Sequence, residues 1–218
     1  MSQRKRTALG TMVLLLSLVL SAMILPAFTG AQDTPMSTQE FHDAMRKLWE
    51  DHITWTRLYI VSFAADLPDT ELTANRLLQN QDDIGNAVRP FYGDEAADQL
   101  TQLLRDHITG AVDILTAAKA GDTAQAESAV AVWRTNADDI ATLLNSANPD
   151  NWPLEDLKAQ MQMHLDLTLA EAQARLSGDF EQDIAAYEDV HNHILMMADI
   201  LSTGIINQFP DRFAAAQS

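Results

Sequence analysis

From residue 38 onward apolar residues recur at intervals of three and four, and no segment alternates apolar and polar positions between turns. A period near 3.6 places such a stripe on one face of a helix, whereas a strand face needs a period of two. The pattern predicts an all-α protein. Pro68-Asp69, Gly93-Asp94, Gly121-Asp122, Asn148-Pro149 and Gly178-Asp179 interrupt it, and Gly, Pro, Asn and Asp are the residues that end and restart helices. Six helices are expected, roughly 38–66, 70–90, 94–119, 123–146, 153–176 and 180–208. Ser37 and Glu40 have the spacing of a capping box. Asp122 and Asp179 each follow a glycine and precede a glutamine by three residues (Gln125, Gln182), as N-caps do. With no linker between the helices, residues 32–218 read as a single helical-bundle domain.

The helices repeat. Asn80-Gln-Asp82-Asp83-Ile84 returns as Asn136-Ala-Asp138-Asp139-Ile140, 56 residues later. His52, His107 and His164 are separated by 55 and 57 residues, and Asn80, Asn136 and His193 by 56 and 57. Self-similarity at a fixed period is the mark of a repeated structural unit. The unit predicted here is a helical hairpin, present three times at about 38–90, 94–146 and 153–208. Each recurring polar residue falls inside an apolar stripe: His52 with Phe41, Met45, Leu48, Tyr59 and Phe63; His107 with Leu100, Leu104 and Ile114; Asn136 with Trp133, Ile140 and Leu143. His107 stands 14 residues before Gly121 and Asn136 stands 15 after it. At about 1.5 Å per residue both lie roughly 21 Å from their turn. The expectation is a bundle with a polar layer at mid-height.

Residues 1–31 have a different character. Arg4, Lys5 and Arg6 precede a 15-residue apolar run (11–25), Pro26, and the small residues of Thr29-Gly30-Ala31. This order predicts a cleaved export signal, a mature chain starting at Gln32, and a periplasmic or extracellular protein free of the membrane. An uncleaved segment over 8–28 would instead serve as an anchor. Removing the three basic residues of the leader takes the formal charge from −17 to −20. So acidic a chain repels nucleic acid and anionic lipid and attracts cations. There is no cysteine, which excludes disulfides and thiolate ligands. Nothing in the pattern determines an oligomeric state.

Chemistry therefore rests on the polar layer. An unpartnered buried polar group costs about 1–3 kcal/mol, so the layer must be paired internally, hydrated or bound to a guest. Candidate metal ligands are His52, His107, His164 and His193, with Asn80, Asn136, Asp83, Asp139 and Glu171 as candidate ligand-binding neighbours. Asp51, Asp83 and Asp106 are placed to orient the imidazoles. Nitrogen and oxygen donors would suit zinc, copper, nickel or iron; Met161, Met163, Met196 and Met197 near His164 and His193 would suit copper, or would serve only as flexible core filler. Glu188-x-x-His191 occurs once, whereas di-iron bundles need two such motifs. Trp49, Trp55, Trp133 and Trp152 read as packing residues, Arg57, Arg89 and Arg134 as surface ion-pair partners or a clamp for an anionic ligand, and His42 and His191 as exposed. No phosphate loop or nucleophile elbow is present.

The stretches LWEDHITWTR, NQDDIGNAV, NADDIA, MHLDLT and VHNHILMMADIL together resemble a family of small bacterial proteins of uncharacterised function, over about residues 45–210. Some of its members are described as glycosyltransferases, yet this chain offers no strands for a nucleotide-sugar fold and sets Asp82-Asp83 on a helix. The resemblance supplies no catalytic residues. Three functions fit the pattern: a non-catalytic binding protein whose His/Asn/carboxylate layer holds a metal ion or small polar ligand, a metal-dependent enzyme using the same layer, and a structural or interaction protein whose layer only sets register.

Overall fold

A computed structural model describes residues 35–214; the predicted export signal lies outside them. The chain forms five helical elements: α1 (Thr38–Ala64), α2 (Thr70–Ala120), α3 (Thr123–Ala147), α4 (Leu154–Ser177) and α5 (Phe180–Gln208), followed by a short 3₁₀ turn at Pro210–Arg212. Among the described residues the only extended pairing is the single bridge between Ser37 and Ala214. None of these helices is long and apolar enough to cross a membrane.

Local sequence explains most of the boundaries. The Ser37 side chain accepts from the Glu40 N–H while Glu40 reaches back to the Ser37 N–H, a reciprocal cap for two of the four orphan donors of α1. Gly121 and Gly178 adopt left-handed backbone, φ 73° and 79°, which glycine reaches without Cβ strain. Asp122 and Asp179 then accept from the N–H of Gln125 and Gln182. Each Gly-Asp pair closes one helix and opens the next.

The six expected helices are five because the break at Gly93-Asp94 is not a loop. Gly93 alone leaves the helical region within α2 (φ 81°, ψ 177°), and Asp94 bonds to Arg89. The element folds back at this point. Arg105 on the later arm donates to Leu78 O and Asp82 on the earlier one. A side chain at Gly85 would collide with Thr101, so the arms touch where the chain has no Cβ.

Packing runs in a closed circuit. α1 lies against α2 and α5, α3 against α2 and α4, and α4 against α5, with α1 also meeting α4. The buried apolar residues form two clusters: a larger one that includes Met45, Trp49, Leu104, Met161 and Leu165, and a smaller one of Tyr59, Ile60, Leu77, Ile108, Leu115 and Ala172. Phe91 and Phe213 stack at one end with Phe41 set at an angle against both, and there Ala214 N–H donates to Met36 O and ties the two ends of the described chain together.

Candidate ligand site: a buried histidine layer

His52, His107 and His164 come from three different helices and are all buried, at 4%, 4% and 5% exposure. Their helical stripes bring them together: the His164 ring lies 5.8 Å from that of His52 and 6.3 Å from that of His107. Burial penalises the charged imidazolium and pushes His52 down to about 3 and His107 down to about 4. His164 is driven well below the usual imidazole range by burial and by its neighbours His52, His107 and His193. All three rings are neutral at pH 7, the form that can accept a proton, a hydrogen bond or a metal.

A second set of polar residues fastens the layer to the backbone. Asn80 Nδ2 donates to Leu48 O, Asn136 Nδ2 to Leu103 O and His193 Nε2 to Gln160 O, each at 3.0 Å. Leu48, Leu103 and Gln160 each precede a layer histidine by four residues. The histidine carbonyls take one further donor apiece at 2.8 Å: Thr56 Oγ1 on His52, Trp133 Nε1 on His107 and Thr168 Oγ1 on His164. Since Asn136 donates through Nδ2, its Oδ1 is the acceptor facing His107 Nδ1 at 2.9 Å. His107 therefore carries its proton on Nδ1 and leaves an unprotonated lone pair on Nε2, the orientation that outer hydrogen bonds impose on ligating imidazoles.

Four buried polar atoms have no hydrogen-bond partner among the described residues: His164 Nδ1, Trp49 Nε1, Gln81 Oε1 and Arg76 Nη1. Two of their residues, His164 and Trp49, line an internal cavity of about 30 Å³ together with His52, His107 and the thioethers Met45, Met161 and Met197. A second cavity of about 40 Å³, walled by Tyr59, Leu77, Leu115 and Ala172, lies among residues of the smaller cluster. As the side chains stand, no three His, Asp or Glu groups among the described residues form a set that could hold a metal ion.

The expected site residues divide accordingly. His52, His107 and His164 meet at the centre. Asn80, Asn136 and His193 are the outer anchors, and His193, 6.3 Å from His164, is committed to Gln160 O. Asp83 and Asp139 are not in the layer: Asp83 is partly exposed beside Arg76 and Asp139 faces solvent, because in each Asp-Asp pair both carboxylates lie off the buried stripe. Nor do aspartates orient the imidazoles. Asp51 pairs with Lys47, Asp83 faces Arg76 and Asp106 accepts from Gln102. Of the four methionines, Met163 and Met196 are exposed, and Met45 stands in the wall instead. His42 and His191 are half-buried beside Asp199 and Glu50.

Glu171 is buried, yet it has a partner. Arg57, read from sequence as a surface residue, bridges Glu171 at 3.0 Å and fully buried Asp183, and Arg175 reaches Asp183 from the other side. Burial pushes Glu171 up to about 7 against the pull of Arg57. Burial also raises Asp183, but Arg57 and Arg175 together outweigh this and hold it below its usual value. Gln81 is the layer residue that the pattern does not flag: wholly buried, it donates to Leu77 O and Asn80 Oδ1 and lies 3.4 Å from His52 Nδ1. Its position next to Asn80 in the repeated segment was the available signal, but alanine occupies the matching place, 137. No protein-family model, curated protein or solved structure matches the chain.

Proposed function

We propose that this is an exported, non-catalytic binding protein that takes up a metal ion between His52, His107 and His164. The observation that carries the reading is a trio of neutral, buried imidazoles from three helices, one held by Asn136 with its Nε2 lone pair free. The rings do not converge as they stand, so uptake requires them to turn toward a common point, and the cavity beside them gives the room. The acidic surface favours accumulation of cations near the protein. Export is supported by the basic, apolar and small-residue order of residues 4–31, and predicts Gln32 as the first residue of the secreted form. A threefold hairpin repeat, and kinship with the small helical bacterial family, are proposed on the recurring motifs. The matched carbonyl bonds of Asn80, Asn136 and His193 support the repeat.

The same carbonyl bonds favour a second reading, in which the layer only sets the register of the helices. Metal analysis of protein purified without chelator separates the two, together with melting curves of the wild type and His164→Ala. A bound ion at 100 times its Kd stabilises the native state by about 2.7 kcal/mol. Under the metal reading, metal should raise the wild-type melting temperature and leave the variant unmoved. Equal losses with and without metal, and a metal-free native preparation, would leave the register reading.

A further inference from the structure

The chemistry of the cavity wall narrows which ion the histidine layer can take, an inference that rests on the metal-binding reading above. Besides His52, His107 and His164, the wall includes the thioether residues Met45, Met161 and Met197, which are 2%, 5% and 5% exposed. They come from α1, α4 and α5, so the thioethers were assembled by the fold. No Asp, Glu, Ser or Thr lines the cavity, and Trp49, with its unpartnered indole N–H, contributes no ligand lone pair. The buried carboxylates are already neutralised by arginine elsewhere: Glu171 by Arg57, and Asp183 by Arg57 and Arg175.

Donor softness and ion charge point the same way. Thioether and neutral imidazole form a soft to borderline donor set, which favours copper(I) over hard cations. The cost of burying an ion without a compensating charge is large and, in a continuum picture, grows with the square of the charge. A divalent ion held only by neutral donors in an apolar cavity is penalised about four times as heavily as a monovalent one. We propose that the layer is a binding site for a soft monovalent cation, copper(I) being the physiological candidate, held by His52, His107 and His164 with thioether support from Met161 and Met197. The cysteine-free chain offers no competing thiolate.

The test is anaerobic titration of the purified full chain with copper(I) against a chromophoric copper(I) chelator, with silver(I) and zinc(II) titrated in parallel. One equivalent each of copper(I) and silver(I) should bind, with no comparable uptake of zinc(II). The Met161→Leu, Met197→Leu double variant keeps side-chain volume and fold, and should weaken copper(I) by about 10-fold or more, the effect typical of losing a supporting group at a metal site. X-ray absorption of the copper(I)-loaded wild type should show sulfur and nitrogen scatterers, a readout independent of whether any histidine variant folds. Zinc(II) binding as tight as copper(I), or copper(I) binding indifferent to the methionine changes, would overturn this inference and leave the metal-binding reading standing. Failure of all three ions to bind would overturn this inference, and a metal-free native preparation beside it would overturn the metal-binding reading as well.

Discussion

The layer histidines carry a consequence at the scale of single residues that needs no bound ion. His52 and His107 have native values near 3 and 4, below the unfolded value of about 6.5. Between those limits the unfolded chain binds protons that the native protein refuses, so stability is unaffected above about pH 6.5 and falls as the solution is acidified. Each group costs about 1.4 kcal/mol per pH unit in that window, or roughly 2.7 kcal/mol at pH 4.5. Glu171 has the opposite sign. Raised to about 7, it contributes stability that is full below about 4.5 and is lost as pH rises through 7. Urea midpoints measured from pH 7 to 4.5 in a Glu171→Gln background should therefore fall steeply, and His52→Gln or His107→Gln should each flatten the slope. A midpoint insensitive to pH in that background would contradict the burial of these rings. The histidines themselves were legible from their spacing of 55 and 57 residues. Gln81 and the role of Trp133 were not, because a side chain that bonds or stacks on a histidine from another helix leaves no periodic trace.

At the scale of elements, the turns show how far local chemistry reaches. Gly121-Asp122 and Gly178-Asp179 act as their dipeptides predict, since a left-handed glycine and an aspartate cap need nothing beyond their own neighbours. Gly93-Asp94 has the same letters and a different outcome: ψ is 177°, where Gly121 has 15°, and Asp94 is drawn to Arg89 instead of capping. A glycine with φ of 81° and that ψ occupies backbone space that L-residues avoid, at a cost of order 1–3 kcal/mol. The space around it is open, with no atom within 4 Å of where a Cβ would stand. Gly93→Ala should thus lower the melting temperature through backbone strain alone, by roughly 2–10 °C for a protein of this size, with helical circular dichroism unchanged. A variant as stable as the wild type would show that the fold-back does not depend on this conformation.

For the whole molecule, the Arg57 cluster joins α1, α4 and α5 through two buried carboxylates. Removing one partner of a buried ion pair strands the other, at about 3–5 kcal/mol. Arg57→Met should therefore be strongly destabilising, although it keeps most of the apolar stem. Arg57→Met combined with Glu171→Leu and Asp183→Leu should recover much of the loss, because the charges that need Arg57 are then gone. Chemical denaturation of the single and triple variants checks this, and a single variant within about 1 kcal/mol of the wild type would mean the cluster is solvated. In sequence these residues are scattered over 126 positions, and Arg57 reads like any other surface arginine.

What the sequence determined by itself is whatever depends on near neighbours. The 3.6-residue period made helices, Ser37, Asp122 and Asp179 capped them, Gly121 and Gly178 ended them, and the 55- and 57-residue spacings placed three histidines at matching positions on buried stripes. Only the tertiary structure decided the folding back of α2 at Gly93, the pairing of Arg57 with Glu171 and Asp183, and the gathering of Met45, Met161 and Met197 beside the imidazoles. These outcomes depend on desolvation and on distances across helices, and both are set by atoms far away in the chain. A stripe can say that a polar side chain will be buried; it takes the packed neighbours to say what that side chain will meet.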